Sequence, residues 1–316
     1  MKFAVNYSAA AADLFREGRI EVDRFKCPAW PDTVAAARAL HAVYVHLPLR
    51  VGAGIGDAID TERRQPADWG RLEALLARTD TPQVNVHLAP FAGDFDGMAV
   101  DTADPADVER LYAHALRDVQ ALVDRFGPEH VAVENADDGK GLILHAALQP
   151  DFVRDLVREA GCCFLLDVAH ARMAAHLLGI DARAYLAGLP LERTTEIHLA
   201  GIQPFAGRWL ALMRHGGLSR EELGWFAGLE PGEPVDHLPL VDEDWAFYAW
   251  SLEEVRQGKW GRPWIVTLEY GGVGPVWELL TDKAILAEQA PRLYAMIKNK
   301  NEPEGGGQPE GAHALE

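Results

Sequence analysis

The segment LLDVAH, at residues 165–170, places an aspartate directly after an apolar run and a histidine three positions later. A short apolar run is typical of a buried strand, so Asp167 and His170 fall at or just past its carboxyl end. Five other runs end on a histidine or a carboxylate. Those residues are His46, His87, Glu134, His198 and Glu269. Six successive strands therefore end on side chains that can bind a metal or move a proton.

The charge of these side chains predicts that a positively charged group lies among them. They are acids and imidazoles, and no lysine or arginine stands at the same six strand ends. A buried charge that has no partner costs several kcal/mol or more, so crowded carboxylates need compensation. A divalent metal ion supplies the positive charge directly. Imidazole and carboxylate ligands without thiolate indicate iron, manganese, zinc or cobalt.

The number of candidate ligands indicates more than one metal ion. The segment PVDHLPL, inside a long connection, adds Asp236 and His237 to the strand-end residues. Nine candidates exceed one coordination sphere, so we expect two or three ions bridged by carboxylates. The predicted catalytic residues are Glu134, Asp167 and Glu269. The predicted metal ligands are His46, His87, Glu134, Asp167, His170, His198, Asp236, His237 and Glu269.

Eight short β-type runs alternate with helical patterns along the chain. The runs lie at 3–7, 21–27, 42–48, 83–89, 130–136, 162–169, 195–201 and 264–270. The clearest helical patterns lie at 105–127, 150–161 and 242–258. Alternating strands and helices indicate a parallel sheet, and eight units predict an α/β fold with a single closed (β/α)8 TIM barrel. An open doubly wound sheet is the alternative. In a barrel the carboxyl ends of all strands meet at one rim, where active sites form.

Two connections are long enough to cover such a site. Residues 49–68 follow the third strand, and residues 201–263 follow the seventh. Loops of this length in a compact domain are usually functional. We predict one barrel domain over residues 1–298, followed by a disordered tail at 299–316 that is rich in Gly, Pro and Glu.

Composition excludes several classes of partner. The chain has 316 residues, a hydrophobic content of 48% and a formal net charge of -18. Such a surface repels phosphate backbones and anionic lipid, so neither nucleic acid nor a membrane is a predicted partner. No apolar run is long enough for a signal peptide or a membrane span. Three cysteines, two of them adjacent, do not suggest a disulfide framework, so we predict a cytoplasmic protein.

Two other features have weaker interpretations. The segment GAGIGD, at 52–57, is similar to a dinucleotide-binding fingerprint, but no helix begins within it. A flexible loop is the better interpretation of its glycines. Arg50 and Lys140 follow strand ends and are candidates for binding an anionic substrate, with a plain surface position as the alternative.

The order of ligand-type residues resembles the xylose-isomerase-like superfamily of barrels, which includes single-metal sugar epimerases and three-zinc apurinic endonucleases. Within it, the chain is most similar to the multinuclear non-haem iron enzymes of the methanobactin-biosynthesis type, which modify cysteines of ribosomally made peptides. The similar segments are VEN at 133–135, LLDVAH at 165–170, IHLAG at 197–201, DHLPLVDEDWAFYAW at 236–250 and TLEYGGVGPVWELLTDKAILAE at 267–288. The resemblance spans most of the chain and is clearest from residue 130 onward.

This resemblance implies an oxidoreductase in which two or three iron ions bind a substrate thiolate and activate O2. It also implies a peptide substrate and a partner protein that recruits the peptide leader. The chain departs from the group at His170, where those enzymes have Asn, and at Asp236 and His237, which those enzymes separate by one residue.

Three alternatives stay open. The first is a single-metal isomerase of a sugar-like substrate, in which Glu134 and Glu269 transfer protons. The second is a metallo-phosphoesterase that hydrolyses a small molecule. The third is a barrel without catalytic activity that serves as a binding module.

Overall fold

Eight parallel β-strands, each inside or next to one of the runs predicted from the sequence, organise the protein. The computed structural model describes residues 1–138 and 140–298, so the predicted disordered tail lies outside the described residues. With the short strands outside the barrel included, the strands of the described residues are β1 Lys2–Asn6, β2 Arg24–Pro28, β3 Val43–His46, β4 Leu49–Val51, β5 Ile59–Asp60, β6 Gln65–Pro66, β7 Val84–Leu88, β8 Val131–Glu134, β9 Cys163–Asp167, β10 Thr194–Leu199, β11 Gly201–Pro204, β12 Pro234–Leu238 and β13 Ile265–Leu268.

The helices lie mainly between these strands, as the alternating pattern predicts. They are α1 Ala9–Arg16, α2 Pro31–Arg38, α3 Trp69–Leu76, α4 Pro105–Phe126, α5 Pro150–Ala160, α6 Val168–Leu178, α7 Ala182–Gly188, α8 Gly207–His215, α9 Arg220–Leu223, α10 Asp242–Arg256, α11 Pro275–Leu280 and α12 Lys283–Ile297. None of these described helices is both long and apolar enough to cross a membrane.

The sheet closes into a (β/α)8 barrel, which confirms the predicted fold. Its strand order is β3-β2-β1-β13-β10-β9-β8-β7-β4, and each pair of neighbours is parallel. β3 and β4 are two halves of the third barrel strand, separated by Leu47 and Pro48. Since proline has no N–H to donate, the ladder is interrupted there. One half pairs with β2 and the other with β7, so the two ends of the order meet.

The long connection predicted after the third strand is partly strand. Leu49–Val51 pairs with β7, and the short strands β5 and β6 extend the sheet from β4 in antiparallel fashion. The connection after the seventh strand is long, as predicted. It contains α8, α9 and the antiparallel pair β11 and β12, and it ends with α10.

Alternate residues of each strand face opposite sides of the barrel wall. Val43 and Val45 belong to the large apolar core outside the barrel, where the helices pack. Tyr44 belongs with Ala4 and Ile265 to a small separate cluster inside the barrel. Residues two and four positions further along these strands therefore also point inward, and His46 and Glu269 do so at the carboxyl rim.

The glycine-rich segment binds a carboxylate of the protein itself. Asp118 on α4 is fully buried and accepts hydrogen bonds from the backbone N–H groups of Gly52 (3.0 Å), Gly54 (2.8 Å) and Gly56 (2.7 Å). Gly54 has a φ of +76°, and a Cβ there would lie 2.3 Å from His114 Nδ1. The segment is thus fixed to α4 rather than free, and its N–H groups are not available to a nucleotide.

We expect Asp118→Asn to lower the free energy of unfolding by about 1–3 kcal/mol, because an amide cannot accept all three N–H groups and buried donors lose their partners. Urea denaturation followed by circular dichroism measures this. Glu109→Gln, an exposed change on the same helix, is the matched control and should cost less than about 0.5 kcal/mol. Equal stability of the two variants would contradict the anchoring role.

Candidate metal centre

The predicted ligand residues of six strands meet at the carboxyl rim of the barrel. His46, His87, Glu134, Asp167 and His198 lie at or near the last residue of β3, β7, β8, β9 and β10, and Glu269 follows β13. Each stands two positions after a residue that faces the barrel interior, so the alternation of the strand directs its side chain into the mouth. The structure brings all six together.

Glu134 lies at the middle of this group. Its Oε2 is 2.8 Å from His46 Nε2 and 3.4 Å from His87 Nε2. Its Oε1 is 3.6 Å from His198 Nδ1 and 3.7 Å from His170 Nδ1. Burial raises the pKa of Glu134, but the neighbouring His87 and His46 have the larger effect and hold this pKa well below its ordinary value. A carboxylate with both oxygens facing imidazoles has the position of a bridging ligand.

Three buried atoms beside Glu134 lack hydrogen-bond partners. They are Asp167 Oδ2, His198 Nδ1 and Glu269 Oε1, the last of which is in ion-pair contact with the ammonium of Lys26. His198 Nδ1 lies 2.9 Å from Glu269 Oε1 and 4.0 Å from Asp167 Oδ2, but none of these contacts has hydrogen-bond geometry. Polar atoms buried without partners are rare in folded proteins. A divalent ion held by the three atoms would satisfy all of them, so these residues fit a metal.

The long seventh connection adds a second carboxylate–imidazole pair. Asp236 Oδ2 lies 3.3 Å from His170 Nε2 and 3.7 Å from His237 Nε2, and His237 Nε2 lies 3.3 Å from Glu269 Oε2. Neighbouring residues of a regular strand point to opposite faces. Here the register shifts, so that Asp236 and His237 together oppose the single residue Ile202, and His237 has a φ of +55°. This bulge directs both adjacent side chains into the site.

Four groups of three side chains have donor atoms within 4.8 Å of one another. Glu134, Asp167, His170 and His198 each belong to two of the groups. His87 belongs to none, although it contacts Glu134. The groups are His46–Glu134–His198, His170–Asp236–His237, Glu134–Asp167–His170 and Asp167–His198–Glu269.

Polar groups behind the histidines set the direction of their rings. His198 Nε2 lies 2.8 Å from Glu196 Oε1, so Nδ1 faces the other donor atoms. His170 Nδ1 lies 3.0 Å from the Asn135 carbonyl, and His87 Nδ1 lies 3.3 Å from the Leu49 carbonyl. Such outer partners fix the tautomer of metal-binding histidines. Glu196 is not among the residues predicted from the sequence, although its position two residues before His198 on β10 was a signal that could have identified it.

The LLDVAH segment holds its aspartate and histidine together through a helix cap. Asp167 ends β9 and caps α6, accepting a hydrogen bond from the His170 N–H through Oδ1 at 2.8 Å. The Asn135 side chain donates to the Asp167 carbonyl (2.8 Å) and accepts from its N–H (3.0 Å). The end of β9, the helix cap and the two hydrogen bonds with Asn135 together fix Asp167. Its Oδ2 is then directed toward the other candidate metal ligands.

Lys26 corrects the expectation that no cation compensates these acids. Its side chain projects from β2 into the mouth, and its ammonium contacts the Glu269 carboxylate. Burial lowers the pKa of Lys26 to about 8, although carboxylates, Glu134 foremost, act in the opposite direction. Among the described residues it is the one lysine or arginine in ion-pair contact with the buried carboxylates of the mouth. Those carboxylates are Glu134, Asp167, Glu196, Asp236 and Glu269. One ammonium therefore balances only part of the charge.

The two basic residues proposed from the sequence as anion ligands lie elsewhere. Arg50 is buried and forms a two-point ion pair with Asp94, with nitrogen–oxygen distances of 2.6 and 2.8 Å. Lys140 Nζ donates to the carbonyl of Pro234 at 3.3 Å, within the long connection after the seventh barrel strand. Their partners Asp94 and Pro234 are not among the five carboxylates of the mouth.

The fold and this site define a (β/α)8 barrel with clustered histidines and carboxylates at the carboxyl ends of its strands. The chain matches, over residues 32–218, the family described as "RiPP precursor modification enzyme MbnB/TglH/ChrH". It belongs to this family, and the resemblance inferred from the sequence is confirmed.

Curated relatives carry the description "UPF0276 protein". That of Caulobacter vibrioides (strain NA1000 / CB15N) is 30% identical over 191 residues, which is 59% of this chain and 66% of the relative. That of Bordetella pertussis is 30% identical over 187 residues, or 58% and 61%. That of Paraburkholderia phytofirmans is 47% identical over 134 residues, or 42% of each chain. Each match spans less than two thirds of the relative's length.

A solved structure shares the fold at low sequence identity. The crystal structure of D-psicose 3-epimerase in the presence of D-fructose aligns with a TM-score of 0.52 and 12% identity, covering 95% of this chain and 99% of that chain. The match supports the barrel architecture and says nothing about chemistry.

We expect Asp167→Asn to remove at least one metal ion per chain from the purified protein. The amide oxygen can still cap α6, but an NH2 group takes the place of Oδ2 and the negative charge is lost. The metal affinity should therefore fall by more than the roughly 10–100-fold caused by changing an outer partner. Elemental analysis measures the metal content. Asp96→Asn, an exposed change, is the control. Full metal content in Asp167→Asn would argue against this ligand.

Glu196→Gln tests the outer partner of His198. The amide is almost the same size, but it no longer holds the His198 Nε2 proton with a charged acceptor. We expect metal affinity to fall about 10–100-fold while circular dichroism stays unchanged. Chelator competition measures the affinity. An affinity equal to that of the unmodified protein would show that Glu196 does not orient the imidazole.

Proposed function

We propose that the protein is a metal-dependent oxidoreductase that uses iron and O2 to modify a ribosomally made peptide at a cysteine. One observation carries the proposal: four overlapping groups of donor atoms share Glu134, Asp167, His170 and His198 within a single barrel mouth. The membership of the chain in a family of peptide-precursor modification enzymes supports a peptide substrate.

The overlap of the groups favours two or three ions over one. A single ion takes about four to six ligands, whereas nine candidate residues surround this mouth. Glu134 faces imidazoles through both of its oxygens, and Asp167 belongs to two groups. Carboxylates in such positions bridge neighbouring ions. This arrangement supports the multinuclear centre over the single-metal isomerase.

Three sets of residues would hold the ions. Iron bound there would supply the redox chemistry that oxidises a substrate thiolate with O2. The polypeptide fixes the ring orientations through outer partners, as Glu196 does for His198. The sets are His46 and Glu134, with His87 Nε2 3.4 Å from the same Glu134 oxygen; Asp167, His198 and Glu269; and His170, Asp236 and His237.

A cavity of about 250 Å3 opens beside the centre, lined by His46, His87 and His237. The aromatic side chains of Trp30 and Trp277 form part of its wall. A cavity of this volume has room for at least one side chain of a peptide. It therefore suits a peptide that inserts a single side chain or chain end while the rest stays outside. We include in the proposal a partner protein that recruits the peptide.

The test begins with protein purified without added metal. We expect at least two iron ions per chain by elemental analysis. A library of cysteine peptides should then show mass changes that require O2, while the same library with serine in place of cysteine stays unchanged; mass spectrometry follows both. In parallel, the same protein is incubated with a hexulose and with a phosphoester, and epimerisation and hydrolysis are measured.

The outcomes separate the candidate functions. One ion per chain with epimerised hexulose would replace this proposal with the single-metal isomerase. Zinc content with phosphoester hydrolysis would replace it with the metallo-phosphoesterase. Mass changes that persist without O2 would contradict the oxidative chemistry.

A further inference from the structure

Lys26 connects the metal centre to the cavity beside it. Its ammonium contacts Glu269 in the ligand cluster, and the same side chain lines the cavity together with His46, His87 and His237. Within the described chain, no other lysine or arginine lines this cavity. The acidic Glu62 lies at the outer edge and accepts a hydrogen bond from Trp30 Nε1 at 2.7 Å. The cavity therefore has one positive group, at its inner end.

The partner that Lys26 has in the structure is also a metal-ligand candidate. Glu269 Oε1, which the ammonium contacts, lies 2.9 Å from His198 Nδ1, and Asp167, His198 and Glu269 form one of the groups of donor atoms. A divalent ion held by these atoms would take the electron pairs of Glu269 and repel the neighbouring ammonium. Lys26 would then need another anion.

The cavity is where that anion can lie. Lys26 is only 8% exposed, so its side chain is largely shielded from bulk water. An unpaired buried ammonium is costly, whereas an anionic ligand beside it forms charge-assisted hydrogen bonds that are stronger than neutral ones. Lysine presents a compact charge with three rotatable donors, which suits a carboxylate in any orientation.

We propose that Lys26 forms an anion subsite in this cavity, which binds a carboxylate of the substrate and positions the substrate at the metal centre. The inference rests on the proposed function for the metal centre and names a feature of its substrate. The carboxylate belongs to a chain end or to an acidic side chain next to the modified residue. Lys26 is a positioning residue for the substrate.

The experiment compares ligands that differ only in a carboxylate, bound to metal-loaded protein without O2 so that no turnover occurs. N-acetylcysteine and its amide test a chain end. Acetyl-Asp-Cys-amide and acetyl-Asn-Cys-amide test a side chain. Calorimetric titration should show that the acid of at least one pair binds about tenfold more tightly or better, the size expected for a charged hydrogen bond.

Lys26→Met, which keeps the length of the side chain, should reduce this acid-to-amide ratio to about one. Lys26→Arg keeps the charge and should retain a preference for the acid. Equal binding of acid and amide by the unmodified protein, in both pairs, would overturn the proposal without any variant. A preference that survives in Lys26→Met at equal metal content would overturn it as well.

A third pair, N-acetylalanine and its amide, separates this inference from the proposed function. If these ligands show the Lys26-dependent preference but no cysteine peptide is modified, the subsite stands and the proposed function fails. If cysteine peptides are modified with no preference in any pair, the metal chemistry stands and the subsite fails.

Discussion

Buried negative charge at the barrel mouth is the constraint on which the site depends. Five carboxylates lie there with at most 8% exposure, and the ammonium of Lys26 neutralises one of them. In a low-dielectric interior, such a cluster is tolerable only when cations or donors lie among the oxygens. Asp167 Oδ2 and His198 Nδ1 are buried without hydrogen-bond partners and mark where further ligands are lacking. A metal-binding role accounts for both the excess charge and the unsatisfied atoms.

The barrel provides this concentration because its geometry is repetitive. Each parallel strand directs alternate residues inward, and all strands end at the same rim, so local sequence patterns far apart in the chain converge. Irregular features then complete the site. The break at Pro48 lets the third strand pair with both neighbours, and the bulge at Asp236 and His237 brings two adjacent side chains in from a long connection. Irregular strands of this kind are typical of functional sites.

The shared fold does not determine the chemistry. D-psicose 3-epimerase has the same barrel at 12% identity, and a barrel accepts many reactions because its rim residues vary independently of its core. The site of this chain is characterised by several donor groups, two of which share Glu134. Family membership, which comes from the sequence, and the donor arrangement, which comes from the geometry, therefore independently support a metal-dependent enzyme.

The sequence by itself determined the eight strands, the barrel and the strand-end residues, because strand periodicity and helix caps are local properties readable over a few positions. Only the tertiary structure decided the rest. Lys26 points into the mouth and contacts Glu269, and Glu196 holds the ring of His198. Asp118 accepts hydrogen bonds from the glycine-rich segment. These contacts form between residues on the inward faces of strands and between segments far apart in the chain. The shared face of Asp236 and His237 depends on a one-residue shift in pairing with β11. Contacts of this kind follow from register and packing, which a linear pattern does not specify.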